Sequence, residues 1–329
     1  MVTYSFGLVA ECDVGPSLDA RCETGETMIY RTLLVVSIAL SAVSPAGAQT
    51  GLEDKYFDSN GVRLRYVEAG RGEPVVLVHG FTESLDAAGW VGPEGIFDVL
   101  QKDFHVIAFD ARGHGKSDKS HDVARYGAEM VEDITRLLDH LGIRAAHLVG
   151  YSMGGYVVGK FATTHPDRVL TATFGGSSAM SPELWRTRFR ARMEGMAEGL
   201  EQGDARPLLL RPNEPPPPPE EFDRMSRDLF SRNDPLALAA AARSFGEATL
   251  VTVEEINRLS MPLLAVVGGA DMAKEGVDAF KRVRPDLQVV VIDGATHFGA
   301  RGVRRRPEFS AAVRNFLVAH PIRKSSSDR

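Results

Sequence analysis

The sequence predicts an α/β protein with a mostly parallel central sheet and helices on both of its faces. Short, continuous apolar runs recur along the chain, which is typical of strands buried on both faces. Segments with helical periodicity lie between many of them, for example at residues 126–141 and 153–164. Strands that alternate with helices favour parallel pairing. The hydrophobic content of 43% and the charged content of 25% are ordinary for a globular chain of 329 residues.

Eight segments are predicted to be strands of this sheet. The first two flank Asn60-Gly61, and Asn-Gly between alternating segments is a strong hairpin signal. The other six are the continuous apolar runs. We place the strands around Tyr56 and at residues 62–67, 74–78, 105–109, 146–150, 169–174, 262–267 and 287–292.

The alternation of strands and helices lapses at residues 178–258. This stretch is rich in Arg, Glu, Met and Ala, and five consecutive prolines at 215–219 interrupt it. Consecutive prolines cannot lie inside a helix and favour an extended connector. We therefore predict a helical cap at 178–258, inserted between core segments at 54–177 and 259–320. A polar tail at 321–329 follows.

The first 48 residues are predicted to lie outside the fold. From Met28, a single arginine, an apolar run at residues 32–43 and an Ala-Gly-Ala site ending at Ala48 indicate a signal peptide at 28–48. Because a signal peptide begins a chain, residues 1–27 are interpreted as an over-extended N-terminus. The apolar run is shorter than the roughly 20 residues that a membrane span needs. We expect export to the periplasm or the medium, with no stable membrane anchor after cleavage.

Cysteine positions and net charge restrict the possible chemistry and partners. Cys12 and Cys22 both precede the predicted signal peptide, so neither a disulfide nor a thiol nucleophile is expected in the exported protein. The formal net charge of −6 argues against nucleic acid or an anionic membrane as the main partner. The basic cluster at 304–306 is interpreted as the solvated start of a helix.

One motif carries the predicted chemistry. The segment from Gly150 to Gly154 contains Gly-x-Ser-x-Gly, directly after a predicted strand and directly before a predicted helix. A tight strand–turn–helix strains the serine backbone, and the two glycines leave room for the close packing around it. The hydroxyl then projects above the strand end, where the free N–H groups of the helix start favour negative charge. The motif predicts Ser152 as a nucleophile.

With this motif in this context, the sequence resembles the α/β-hydrolase superfamily, in particular its capped serine esterases and lactonases. The resemblance covers most of residues 54–320. It implies an oxyanion hole of two backbone N–H groups, from Phe81 in the His-Gly-Phe loop and from Met153 after the nucleophile. It also implies a mainly structural role for the Asp-Ala-Arg-Gly-His-Gly-Lys-Ser turn at 110–117.

The resemblance further requires an acid and a base after the serine, in the order Ser, Asp, His. His297 lies in the loop after the last predicted strand, where the family keeps its base. Asp271 follows the preceding strand in Gly-Gly-Ala-Asp and is the predicted acid. Asp293 is a rival because it lies only four positions before the histidine. No metal and no other cofactor is expected.

The implied function is a serine hydrolase that cleaves a small or medium, largely apolar carboxylic ester or lactone through an acyl-enzyme. Tyr151, Trp185 and Phe298 are candidates for the substrate pocket, although cap aromatics can instead pack within the cap. A cofactor-free haloperoxidase or perhydrolase and a C–C bond hydrolase share the triad and stay open as alternatives. A non-catalytic ligand-binding protein on this fold is an alternative of another class. The serine separates the chain from the aspartate-dependent dehalogenases and epoxide hydrolases of the superfamily.

We expect exported protein to begin at Gln49 when its N-terminus is sequenced, because small residues at Ala46 and Ala48 precede the predicted cleavage site. A control variant, Ala48→Phe, should accumulate uncleaved because a bulky side chain does not suit the position before the cut. An exported chain that still contains Cys12 and Cys22 would contradict both the signal peptide and the cysteine-free mature protein.

Overall fold

The computed structural model describes residues 52–87, 89–92, 95–210 and 216–322. Several predictions concern residues outside this description, namely the over-extended N-terminus at 1–27, the signal peptide at 28–48, Pro215 and the tail from residue 323 onward.

One eight-stranded sheet forms the centre of the protein. Its strands are β1 Lys55–Asp58, β2 Arg63–Ala69, β3 Pro74–Val78, β4 His105–Phe109, β5 Ala146–Tyr151, β6 Val169–Gly175, β7 Leu263–Gly268 and β8 Gln288–Ile292. Their spatial order is β1-β2-β4-β3-β5-β6-β7-β8. The pairs β1–β2 and β2–β4 are antiparallel, and every other neighbouring pair is parallel. The predicted mostly parallel sheet is confirmed.

Burial along the strands explains the continuous apolar runs of the sequence. Strands β5 and β7 are buried at every position, because helices cover both faces and no side chain on these strands reaches water. The edge strand β8 is only partly buried, and its Val291 is exposed.

The described residues contain eleven helices besides short 3₁₀ and π turns. They are α1 Ile96–Leu100, α2 Ala128–His140, α3 Met153–Thr164, α4 Pro182–Leu184, α5 Arg190–Glu201, α6 Arg206–Leu209, α7 Pro219–Arg232, α8 Pro235–Ala248, α9 Val253–Arg258, α10 Lys274–Val283 and α11 Pro307–Ala319. Helices α1 and α11 bury their apolar sides on one face of the sheet, and α2, α3 and α10 on the other. None of these helices is long and apolar enough to cross a membrane.

The stretch predicted as the cap holds helices α4 to α9, between β6 and β7. Helix α5 packs along α8, and a π-helical turn at Trp185–Phe189 leads into α5. A Cβ at Gly246 of α8 would lie 1.9 Å from the Trp185 ring, so the buried indole rests directly on the α8 backbone. This contact gives Trp185 a packing role within the cap, the alternative named above for cap aromatics, and its place in the substrate pocket stays a prediction.

The proline run does not act as a connector along its whole length. Residues 216–218 lie outside any helix or strand, but Pro219 is the first residue of α7. Proline suits this position because its missing N–H would have no partner in the first turn of a helix. The predicted connector therefore ends one residue earlier than expected.

The strand order locates the crevice where a ligand can bind. From β3 the chain moves to β4 on one side, and it then returns to β5 on the opposite side of β3. Connections that leave in opposite directions create a crevice at the carboxyl ends of the two strands, the usual binding place in open α/β sheets. The segments that follow β3, β5, β7 and β8 all carry predicted site residues and all emerge at this edge.

Candidate active site

The turn between β5 and α3 forces Ser152 into an unusual backbone conformation. Its φ is 52° and its ψ is −115°, a region that residues with a side chain adopt only under strain. A Cβ on Gly150 would lie 2.2 Å from the carbonyl oxygen of Gly154, and a Cβ on Gly154 would lie 2.1 Å from the carbonyl oxygen of Val78. Only glycine at both positions permits this close approach of backbones. The Ser152 N–H donates to the carbonyl of Gly175 at 2.8 Å, which also fixes the turn.

Three predicted catalytic residues form a continuous hydrogen-bonded chain. The Ser152 Oγ lies 2.9 Å from the His297 Nε2, and the His297 Nδ1 lies 2.9 Å from the Asp271 Oδ1. Asp271 and His297 are both buried, and the Ala273 N–H also donates to the Asp271 Oδ1 at 2.8 Å. An ionised carboxylate only accepts, so Nδ1 carries the proton and Nε2 is free to accept one from the serine hydroxyl.

The loops that carry the acid and the base are joined to each other. The Ala270 N–H donates to the carbonyl of Ala295 at 3.0 Å, which links the segment after β7 to the segment after β8. Tyr151 supports the base from behind, because its hydroxyl donates to the His297 carbonyl at 2.6 Å and its ring stacks on the imidazole. Only 1% of Tyr151 is exposed. The structure therefore gives Tyr151 a role in holding His297, and its place in the substrate pocket stays a prediction.

The rival acid and the third pocket candidate both lie near His297. Asp293 is exposed in the turn after β8 and makes no hydrogen bond to His297 among those of the described residues, so Asp271 occupies the position of the acid. Phe298 presents its ring edge-to-face to the imidazole with 4.3 Å between centroids. The side chain is 39% exposed, which leaves Phe298 as the pocket candidate on the open side of the base.

Two backbone N–H groups lie next to the nucleophile and have no acceptor among the described residues. Neither the Phe81 N–H nor the Met153 N–H donates a hydrogen bond within the part of the chain that the structure describes. The loop after β3 approaches the serine closely, since a Cβ on Gly80 would lie 3.3 Å from the Ser152 Cβ. Free donors at this place can bind a negative oxygen that develops on a substrate.

Buried polar side chains hold the loop after β3 in place. The His79 Nε2 accepts from the Ala111 N–H at 3.0 Å, so its Nδ1 carries the proton and donates to the Gly80 carbonyl at 2.8 Å. Burial lowers the pKa of His114 to about 3, and the neighbouring His79 adds to this shift. Asp110 accepts from the backbone N–H groups of Leu85 and Lys116. These contacts agree with the structural role that the resemblance implied for the turn at 110–117.

An ion pair beside the nucleophile was not predicted from the sequence. The Glu83 carboxylate accepts from the Gly80 N–H at 3.0 Å, from the Trp90 Nε1 at 2.9 Å and from the Arg304 Nη2 at 2.7 Å. Burial alone would raise the pKa of Glu83, but the Arg304 charge and these hydrogen bonds outweigh it and keep the pKa below its usual value. The interpretation of Arg304 as part of a solvated helix start is therefore wrong. The side chain instead joins the loop after β8 to the loop after β3.

The arrangement has the geometry of a nucleophile elbow, and the comparisons with known proteins agree with it. A family model described as the alpha/beta hydrolase fold matches residues 73–212. The chain has the α/β-hydrolase fold. Epoxide hydrolase VrEH1 from Vigna radiata superposes with a TM-score of 0.64 at 20% identity, over 83% of this chain and 100% of that chain. The enol-lactonase from Burkholderia xenovorans LB400 superposes with a TM-score of 0.58 at 24% identity, over 81% of this chain and 99% of that chain.

Sequence similarity to curated proteins is stronger but more local. Epoxide hydrolase A from Mycobacterium tuberculosis is 40% identical over 119 residues, which are 35% of this chain and 36% of that protein. The chain covers two fifths or less of the length of the curated relatives that it matches at 32% identity or more. Such local matches support the shared core and leave activity to be argued from the site.

We expect Asp271→Asn to lower kcat by about 10⁴, because an amide in place of the carboxylate stabilises the wrong histidine tautomer, as in a comparable triad. Asp293→Asn is the matched control and should change kcat less than about twofold, since Asp293 is exposed and does not bind His297. Steady-state kinetics, with circular dichroism to confirm folding, would measure both. The opposite ranking would move the acid to Asp293.

Proposed function

We propose that this protein is a serine hydrolase that cleaves a small or medium, largely apolar carboxylic ester or lactone through an acyl-enzyme intermediate. The observation that carries the proposal is the hydrogen-bonded chain from Ser152 through His297 to Asp271, next to two N–H groups without protein acceptors. Nucleophile, base, orienting acid and oxyanion donors are the four parts that acyl transfer requires.

The first half of the proposed reaction forms the acyl-enzyme. The His297 Nε2 takes the hydroxyl proton while the Ser152 Oγ attacks the carbonyl carbon of the substrate. Negative charge develops on the carbonyl oxygen, which the Phe81 and Met153 N–H groups stabilise, each by roughly 3 kcal/mol. The protonated His297 then gives its proton to the leaving oxygen, and the C–O bond of the ester or lactone breaks.

The second half releases the acid. Water takes the place of the leaving group, gives a proton to the His297 Nε2 and attacks the acyl carbonyl. The Asp271 carboxylate keeps the Nδ1 proton in place and stabilises the imidazolium in both halves. When the tetrahedral intermediate collapses, the Ser152 oxygen recovers its proton and the carboxylic acid leaves.

The identity of the nucleophile decides between two kinds of substrate. One is a carbonyl compound, and the other is an epoxide or a compound with a carbon–halogen bond, as the names of several relatives suggest. Attack of Ser152 on an epoxide carbon or a carbon–halogen bond would produce an alkyl ether, which has no carbonyl for water to attack. A carboxylate nucleophile would instead form an ester that water can cleave. Although an epoxide hydrolase and a fluoroacetate dehalogenase are among the relatives, serine favours ester or lactone chemistry here.

The surroundings of the site favour an uncharged substrate. Phe81, Met153 and Phe298 bring apolar side chains to the nucleophile and the base, and Phe81 belongs to the apolar cluster beneath the cap. The Arg304 cation nearby is already paired with Glu83. The predicted signal peptide leads us to propose that the enzyme acts outside the cytoplasm.

We expect the purified enzyme to hydrolyse p-nitrophenyl butyrate, and Ser152→Ala to lower kcat by about 10⁶, as removal of a triad serine does elsewhere. Ser231→Ala is the matched control, because this exposed serine lies on α7 in the cap and should leave kcat unchanged. Acyl chains of two to ten carbons and γ- or δ-lactones would then define the range. Equal rates for the two serine variants would refute the proposed nucleophile.

A further inference from the structure

Tyr156 is a buried residue whose hydroxyl makes no hydrogen bond to the described residues, and whose oxygen is not one of their fully enclosed unpaired polar atoms. It lies four residues beyond Ser152 in α3, and only 5% of it is exposed. The other three buried tyrosines of the described residues bond through their hydroxyls to a histidine nitrogen or a backbone carbonyl; these are Tyr66, Tyr126 and Tyr151. Among the described residues, Tyr156 makes no such bond. Because the oxygen is not fully enclosed, a small molecule can reach it and supply the partner that a tyrosine hydroxyl normally has.

The position of the ring connects the cap with the nucleophile. Phe189 of the π turn and Phe245 of α8 contact the Tyr156 ring edge-to-face, at 5.6 Å and 6.0 Å between centroids. Tyr156 lies three residues after Met153 and therefore shares a face of α3 with the proposed oxyanion donor. A rise of about 1.5 Å per residue puts Tyr156 roughly 6 Å along the helix from Ser152.

The electrostatic environment keeps this hydroxyl protonated and unfavourable to anions. Burial raises the pKa of Tyr156 above its usual value, and the charge of Asp271 raises it further. The group therefore acts as a neutral hydrogen-bond donor. The same Asp271 charge would repel a carboxylate bound at this place, and the phenylalanines offer it no counter-charge.

We propose that the Tyr156 hydroxyl donates a hydrogen bond to an uncharged oxygen in the acyl chain of the substrate, a few bonds from the scissile carbonyl. The favoured substrates are then esters or lactones whose acyl part carries an ether, hydroxyl or keto oxygen. Substrates with all-carbon acyl chains would be less favoured. Phe189 and Phe245 hold the tyrosine ring and make the cap part of this subsite. The proposal rests on the proposed function and names the substrate class for the same site.

Matched esters test the subsite directly. The substrates are p-nitrophenyl hexanoate and its 3-oxa, 4-oxa and 5-oxa analogues, in which one CH₂ is replaced by oxygen. For each analogue, kcat/KM is divided by that of the hexanoate in wild type and in Tyr156→Phe. The inductive effect of the oxygen is the same in both proteins, so it cancels when the two ratios are compared. For one oxa analogue, we expect the ratio of its kcat/KM to that of the hexanoate to be about fivefold lower in Tyr156→Phe than in wild type. A factor of this size is typical of a neutral hydrogen bond.

A control variant and a stability measurement separate binding from a structural role. Tyr66→Phe also loses a buried hydroxyl, but one that bonds to His140, and should leave every ratio unchanged. The Tm of Tyr156→Phe should equal or exceed that of wild type, because the variant keeps the ring packing and loses no bond within the protein. A lower Tm with a uniform loss of kcat/KM would assign the hydroxyl a structural role and overturn the proposal.

The outcomes distinguish this proposal from the one on which it rests. If wild type hydrolyses the esters but the ratios are the same in Tyr156→Phe, the Tyr156 subsite is wrong and the serine hydrolase stands. If wild type hydrolyses none of the four esters and no lactone, both proposals fail together.

Discussion

The close approach of backbones around Ser152 is the constraint on which the rest of the site depends. Strand β5 must turn into helix α3 within a single residue, which leaves Ser152 with a positive φ and brings Gly154 against the carbonyl of Val78. The strain is tolerated because β3, β5 and β6 are buried and hydrogen-bonded on both sides. A buried sheet cannot shift to relieve one residue. The fold thus fixes the hydroxyl where the proposed base and the proposed oxyanion donors meet.

The second requirement is electrostatic. The tetrahedral intermediate of the proposed reaction would place negative charge near the loop after β3, where the Glu83 carboxylate is already buried. An unpaired carboxylate there would oppose the reaction, since like charges repel strongly in a low dielectric. Arg304 pairs with Glu83, and the carboxylate in turn accepts from the Gly80 N–H. The pair therefore shapes the oxyanion loop while it removes most of the unfavourable charge.

Much of the fold and of the site could be predicted because the signals are local. Apolar runs located six strands to within one residue, the Asn-Gly hairpin signal located the first two, and Gly-x-Ser-x-Gly located Ser152. Boundaries were less accurate where tertiary packing decides. Helix α2 begins at Ala128, two residues after the predicted start, because Gly127 adopts a φ of 64°. A Cβ on Gly127 would lie 2.4 Å from the Ser244 Oγ of α8. This contact cannot be predicted from the local sequence, because the two residues lie far apart in the chain.

The missed features are pairs of residues far apart in the chain. Glu83 and Arg304 are separated by 221 positions, so the basic cluster at 304–306 suggested only a solvated helix start. Tyr151 was expected in the pocket because it precedes Ser152 in the sequence, and Trp185 because a cap can supply aromatic side chains to a pocket. Their burial against Gly246 and His297 depends on how helices and loops pack, which composition and periodicity do not encode.

Covalent labelling with a fluorophosphonate tests the central claim most directly, because the reagent captures only an activated serine. After reaction with the folded, full-length chain, digestion and mass spectrometry would locate the adduct. The account predicts one adduct per chain, on the peptide that contains Ser152. It also predicts loss of labelling in His297→Ala, which keeps the serine but removes its base. An adduct on another serine, or undiminished labelling without His297, would contradict it.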